Sequence, residues 1–434
     1  MNFIASPCYR KHMSRLIPRA IEPLLHELAS GLRIVIVNGP RQSGKTTLLR
    51  QAHAVRGGQY VTLDDEKTLA AALEDPVSFV RGRSRPLIID EIQRGGDRLV
   101  RAIKMAVDQS RDRGQFILSG SSKFLTIPTL SESLAGRAGF LDLWPLSLSE
   151  RVSGPIDFIE RVFEEPQSLI GARSEWSRED YLEAIIRGGY PETVLLKSDL
   201  ARSRWYEGYA STILNRDITD FAQVHHVGGL SRLLALIAAR AGSPAVLADL
   251  ARDADLGRET VRNYLGYLNM VFLTNDLQGW ATNLNTRAAK TPRTYITDSG
   301  LATQLLSVTR AKLRTPGHRA LGGLLETFVV AELTKLKAMS LSRVGLYFYR
   351  DSNDHEVDIV LESPRGEVVA IEVKASVSPG LGAARHLVWL REKLGDRFVA
   401  GVVLHLGEQA LSYGDRILSL PVSALWGHAR PADL

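Results

Sequence analysis

The chain contains one cysteine, Cys8, among 434 residues. No intrachain disulfide and no cysteine-built zinc site can form, and this usage fits a reducing cytoplasm. No run of roughly 18 or more apolar residues occurs, so neither a membrane-spanning helix nor a membrane partner is expected. Arg10, Lys11 and Arg15 are not followed by an apolar core of leader length, so no signal peptide is expected. Low-complexity tracts and repeats of fixed period are also missing, which excludes a solenoid. A strong charge of one sign is lacking too: 54 Lys and Arg against 48 Asp and Glu give a net charge of +6. With a pI near 9.3 the chain is compatible with nucleic acid without demanding it. What remains is a globular composition, too long for one core, so about two to four domains are expected.

The most informative stretch is 34–50. Ile34 to Val37 is a short β-branched run of the kind that forms a buried parallel strand. Gly39-Pro40-Arg41-Gln42-Ser43-Gly44-Lys45-Thr46 follows and fits the phosphate-binding loop pattern, and a helical pattern begins at Thr46 and Thr47. Strand, glycine-bearing loop and helix in that order gather backbone N–H groups and a helix N-terminus around one point, which suits a polyphosphate. Gly39 and Gly44 let the backbone bend and approach. Lys45 is expected on the β- and γ-phosphates of ATP, and the Thr46 hydroxyl on Mg2+.

Leu87-Ile88-Ile89-Asp90-Glu91-Ile92-Gln93 is the second anchor. Three apolar residues make a buried strand with two carboxylates at its C-terminal end, where ligands of open α/β sheets bind. This resembles a Walker B element, with Asp90 as a Mg2+ ligand and Glu91 orienting the attacking water. Gln115 to Ser119 reads as the next strand. Ser119, Ser121 and Ser122 are candidate sensors beside the γ-phosphate, or simply members of a serine-rich turn. Arg137 is a candidate for stabilising developing charge, in its own subunit or across an interface with another copy; its alternative is a surface ion pair.

Several segments together resemble a prokaryotic family of AAA-type ATPases, in which a P-loop domain precedes a domain of uncharacterised function. They are Gly39 to Leu48, Leu63-Asp64-Asp65, Ile89 to Gln93, Ser119 to Ser122, Leu134-Ala135-Gly136-Arg137 and Trp144-Pro145-Leu146-Ser147. The resemblance spans most of the chain. It implies an α/β P-loop fold with ATP and Mg2+ as cofactors.

Residues 151–240 read as a helical connector. Gly188-Gly189-Tyr190-Pro191-Glu192 marks a turn, Trp205 to Asp220 a helix, and Arg216-Asp217 resembles a family position of unassigned role. Residues 241–285 read as a winged helix. Ser243 is its expected first cap, Asp255-Leu256-Gly257 the turn, Arg258 to Met270 the second helix and Phe272 to Trp280 the hairpin. Arg258, Glu259, Arg262 and Asn263 fall on the exposed side of that helix, where Arg and Asn can read base edges. Residues 286–434 resemble a restriction-endonuclease-like α/β domain. Glu326 lies on a helix, Asp358 and Glu356 share one face of a strand, and Glu372 and Lys374 share a face of the next. In that fold two carboxylates bind Mg2+ and the lysine supports the attacking water. The alternative is a retained scaffold or a cross-strand ion pair.

Domain limits of 1–150, 151–240, 241–285 and 286–434 follow. Three functions stay open: an ATPase acting with DNA, an ATP-gated metal-dependent nuclease, and a signalling-type ATPase whose C-terminal modules bind a protein partner.

Overall fold

The computed structural model describes residues 16–123, 134, 136–219 and 227–430. Cys8, Arg10, Lys11 and Arg15 lie outside them, as does Ala135 of the family-like stretch.

The N-terminal domain is built on five parallel strands: β1 (Ile34–Asn38), β2 (Gln59–Thr62), β3 (Leu87–Asp90), β4 (Phe116–Gly120) and β5 (Ala138–Asp142). Their order is β2-β3-β4-β1-β5. The central strands β1, β3 and β4 are buried along their whole length, which is why they read as continuous apolar runs. Helices α1 (Glu22–Gly31), α2 (Lys45–Arg56) and α3 (Gly96–Gln109) cover the faces. On α3 the buried side chains are Leu99, Val100, Ala102, Ile103 and Val107, the stripe expected of a helix lying on a sheet.

The middle of the chain is no loose connector. Tyr181 stacks on Trp176 with ring centres 5.5 Å apart, and both meet Trp426 from the far C-terminus. Helix α4 (Asp199–Thr212) carries the Tyr206 and Tyr209 stripe and passes into a π-helical turn, Ile213–Asp217. Three helices follow: α5 (Val227–Ala239), α6 (Leu247–Ala254) and α7 (Arg258–Met270), with Asp255 in the left-handed turn between the last two. Ser243 does not cap α6. Val246 holds that position without a side-chain bond.

The expected hairpin within Phe272–Trp280 is corrected. Strand β6 (Thr274–Gly279) pairs antiparallel with β7 (Arg293–Ile296), and a short helix capped by Asn283 lies between them. The side chain of Asn283 offers this stretch its own helix start, so the chain makes a longer excursion than a tight turn. A boundary at 285/286 therefore falls between two paired strands.

The C-terminal elements run α8 (Arg319–Met339), β8 (Gly345–Arg350), β9 (Glu356–Glu362), β10 (Val368–Lys374), α9 (Arg385–Leu394), β11 (Phe398–His405), β12 (Leu411–Ser412) and β13 (Ile417–Pro421). Their sheet has the order β12-β13-β11-β10-β9-β8-β6-β7. Strand β6 joins β8 through Gln278 opposite Tyr347 and Gly279 opposite Phe348. The hairpin of the middle unit is thus the edge of the C-terminal sheet. Among the described residues no helix is long and apolar enough to cross a membrane.

Candidate functional site

The loop 39–46 leaves β1 and enters α2 as the sequence suggests. A Cβ on Gly39 would stand 2.2 Å from the Leu143 carbonyl oxygen, so no side chain fits there. Gly44 has φ +97°, a left-handed conformation that favours glycine. It occupies the cap position of α2 and provides no side-chain bond to the first-turn amides. Those amides and the helix dipole face the concavity of the loop. Pro40, Gln42 and Ser43 complete the turn; Gln42 is left-handed with φ +63°, and Ser43 is fully buried.

Lys45 is 5% exposed. Its Nζ donates to the carbonyl oxygens of Gly39 (2.9 Å) and Pro40 (2.8 Å), which aims the ammonium into the loop. Burial pushes its pKa down to about 8, against the opposing pull of Glu91 and Asp90.

Asp90, at the end of β3, is the hub. It accepts from Thr46 Oγ1 at 2.6 Å, from Ser119 Oγ and from Tyr60 OH at 3.0 Å. Desolvation, with the Asp90 charge beside it, raises the Tyr60 hydroxyl to about 12, which keeps it a donor. Glu91 sits in the left-handed region with φ +56° and ψ +47°. A non-glycine residue held there costs of order 1–3 kcal/mol, and such strain gathers at functional sites. Its carboxylate accepts from Ser121 Oγ at 3.0 Å and from Gln93, and Gln93 also reaches Ser121 at 2.9 Å. Its backbone N–H donates to Ser119 Oγ at 3.3 Å. Two of the three serine candidates, Ser119 and Ser121, therefore meet the two carboxylates, whereas Thr47 lies one position further along α2.

The oxygen set fits Mg2+. Thr46 and Asp90 offer a hydroxyl and a carboxylate in contact, and Mg2+ prefers few protein oxygens plus water and phosphate.

Three participants were missed in the sequence. Gln93 lies in the short 3-10 turn Ile92–Gly95 just past β3, and Tyr60 lies opposite Ile88, two residues before Asp90, so that only the pairing of β2 with β3 brings its hydroxyl to Asp90. Arg19 is 8% exposed and joins three segments: Nε to Glu150 (2.9 Å), NH1 to the Ser43 carbonyl (2.7 Å) and NH2 to the Trp144 carbonyl (2.8 Å). It backs the loop from behind. Asp217, whose role was open, lies 2.5 Å from Arg41 Nε, and Tyr209 OH donates to the Arg41 carbonyl at 3.3 Å. The π-helical turn carries the middle unit to the loop.

Arg137 is elsewhere. It precedes β5, whose first residue pairs with Ile34 at the start of β1. The loop leaves the other end of β1, roughly 15 Å away at about 3.3 Å per residue. Arg137 pairs with Asp108 through two bonds, 2.6 and 3.0 Å. Arg137 therefore does not reach its own loop, and its bonds to Asp108 are the surface ion pair named as its alternative.

In the C-terminal domain the structure gathers Glu326, Glu356, Asp358, Glu372 and Lys374. Lys374 Nζ donates to Glu372 at 2.7 Å, and Asp358 accepts from the Val373 amide at 2.8 Å. Burial, then the nearby Asp358 charge, raises Glu326 to about 7 and Glu372 to about 8. Arg293 of β7 enters the same cluster, a residue the sequence did not single out. Among the described residues no group of three or more His, Cys, Asp or Glu side chains is arranged to hold a metal ion.

On α7, Arg258, Glu259, Arg262 and Asn263 are exposed as expected. Arg262 NH1 donates to Glu259 at 2.7 Å, which spends part of the positive charge within the helix.

Residues 32–152 match a family described as AAA domain. Residues 178–312 and 321–425 match two families described only as domains of unknown function. Two proteins named as uncharacterized, from Mycobacterium tuberculosis and Mycobacterium bovis, are each 28% identical over 394 residues, covering 90% of this chain and 80% of theirs. Among solved structures, RuvB of Thermotoga maritima is 21% identical with a TM-score of 0.26, covering 63% of this chain and 89% of its own. DnaA from Aquifex aeolicus is 17% identical with a TM-score of 0.28, covering 62% and 90%. TM-scores this low do not establish a shared fold.

Proposed function

We propose that this chain, whose N-terminal part is an AAA-type P-loop ATPase domain, hydrolyses ATP with Mg2+ and passes the nucleotide state to the helical unit behind it. The observation that carries the reading is the bonded set Thr46–Asp90–Ser119 placed beside the buried Lys45. Thr46 and Asp90 would hold Mg2+, which would supply positive charge against the phosphates. The loop amides and Lys45 bind and orient the polyphosphate. Glu91, fixed by Ser121 and Gln93, accepts a hydrogen bond from the attacking water and aims it. Arg41, tied to Asp217, relays loop position to the π-helical turn and so towards the winged-helix unit. Steady-state phosphate release by the purified chain tests this: Lys45→Ala is expected to lower turnover by about a hundredfold or more. Wild-type turnover in that variant contradicts it.

DNA is the partner we favour for the winged-helix unit, because the exposed face of α7 carries Arg258 and Asn263 free of the Glu259–Arg262 pair. Duplex binding that weakens with salt and falls in Arg258→Ala supports this contact. Binding of a protein without affinity for DNA selects the signalling-type alternative. The order helix, three strands, helix, strand in the C-terminal domain supports the restriction-endonuclease-like reading. Two carboxylates there, Glu326 and Glu356, pair with Arg293.

A further inference from the structure

Arg293 is fully buried, and its guanidinium lies 4.5 Å from the centre of the Phe348 ring. Its NH1 is 3.4 Å from Glu326 Oε1, and its NH2 donates to Glu356 Oε1. The Tyr295 hydroxyl, two residues along β7, donates to the same Glu326 oxygen at 2.5 Å. Gly242, with φ +81°, comes so close that a Cβ there would stand 2.4 Å from Glu326 Oε2. The winged-helix unit thus closes over a carboxylate of the C-terminal helix from three positions. Asp358 and Glu372 are engaged from the other side by the Val373 amide and Lys374.

Carboxylates crowded in this way repel one another unless a cation sits among them. A divalent metal answers that need in a metal-dependent nuclease. Here a guanidinium from the neighbouring hairpin answers it. We infer that Arg293 is a built-in cation for the Glu326 and Glu356 side of the cluster, taking the place a divalent metal would otherwise be drawn to, so that these carboxylates fasten the β6–β7 hairpin to the C-terminal domain and take up no metal. A guanidinium suits the role because it is always charged, weakly hydrated and able to meet two carboxylates at once. It has no coordination position from which to activate water.

The inference stands independently of ATP turnover. The test is Mn2+ titration of the full nucleotide-free chain, read by electron paramagnetic resonance, with Asp358→Asn identifying uptake at this centre. The wild type is expected to show no uptake sensitive to Asp358→Asn. Arg293→Met, or Arg293→Gln should the first variant fail to fold, is expected to gain such uptake with an apparent affinity at least about tenfold above the wild-type limit. ATP hydrolysis serves as the folding control and is expected to be retained in either variant. Uptake in the wild type that Asp358→Asn removes overturns the inference. So does a folded Arg293 variant that still takes up no Mn2+.

Discussion

Glu326 and Glu372 carry a pH dependence whose sign follows from their burial. In the folded chain they titrate at about 7 and about 8, against an ordinary carboxyl value of 4.5. Between those values the folded state binds more protons than the unfolded state. Their contribution to stability is therefore complete below pH 4.5 and is lost as pH rises through 7 to 8. Urea unfolding of the C-terminal domain is expected to need less denaturant at pH 8 than at pH 5, and the double variant Glu326→Gln, Glu372→Gln to flatten that slope. An unchanged slope in the double variant contradicts the assignment. Neither shift was legible in the sequence. The carboxylates themselves were, because a two-residue period places Glu372 with Lys374 on one face. The burial of Glu326 depends on Arg293, Tyr295 and Gly242, which only the folded chain brings to the C-terminal helix. Arg19 was invisible for the same reason: its partners Glu150 and Trp144 lie more than a hundred positions away.

At the scale of elements, strands were the easiest to read and connections the hardest. β1, β3 and β4 are central and doubly buried, so they stand out as β-branched runs. The partner of β6 did not, since β7 lies beyond a short helix and carries a charged residue, Arg293, into the interior. The π-helical turn was equally hidden, because a single widened turn leaves the apolar period of α4 almost unaltered. Its product is the Arg41–Asp217 pair, in which Arg41 is 40% exposed. Solvent screening limits such a pair to roughly 0–1 kcal/mol, so Asp217→Asn is expected to weaken ATP binding by at most about fivefold with the fold intact. The larger expected effect is on coupling, read as loss of any nucleotide dependence in partner binding. A loss of ATP affinity beyond about a hundredfold would mean that Asp217 touches the nucleotide itself rather than Arg41.

The whole molecule is less divisible than its motifs suggest. One continuous core runs from Leu48 and Leu49 behind the loop, through Tyr181 and Tyr206, to Phe328 and Trp426. The β6–β7 hairpin is an edge of the C-terminal sheet, and Arg293 pins it there. A change at the loop therefore has a packed route to every other unit, which is the arrangement an energy-coupling ATPase needs. The measurement closest to that claim compares ATP binding with phosphate release in Glu91→Gln. This variant, which keeps Lys45, Thr46 and Asp90, is expected to bind ATP with wild-type affinity while turnover falls by about a hundredfold or more. Wild-type turnover in Glu91→Gln, or no ATP binding by the unaltered chain, would contradict it.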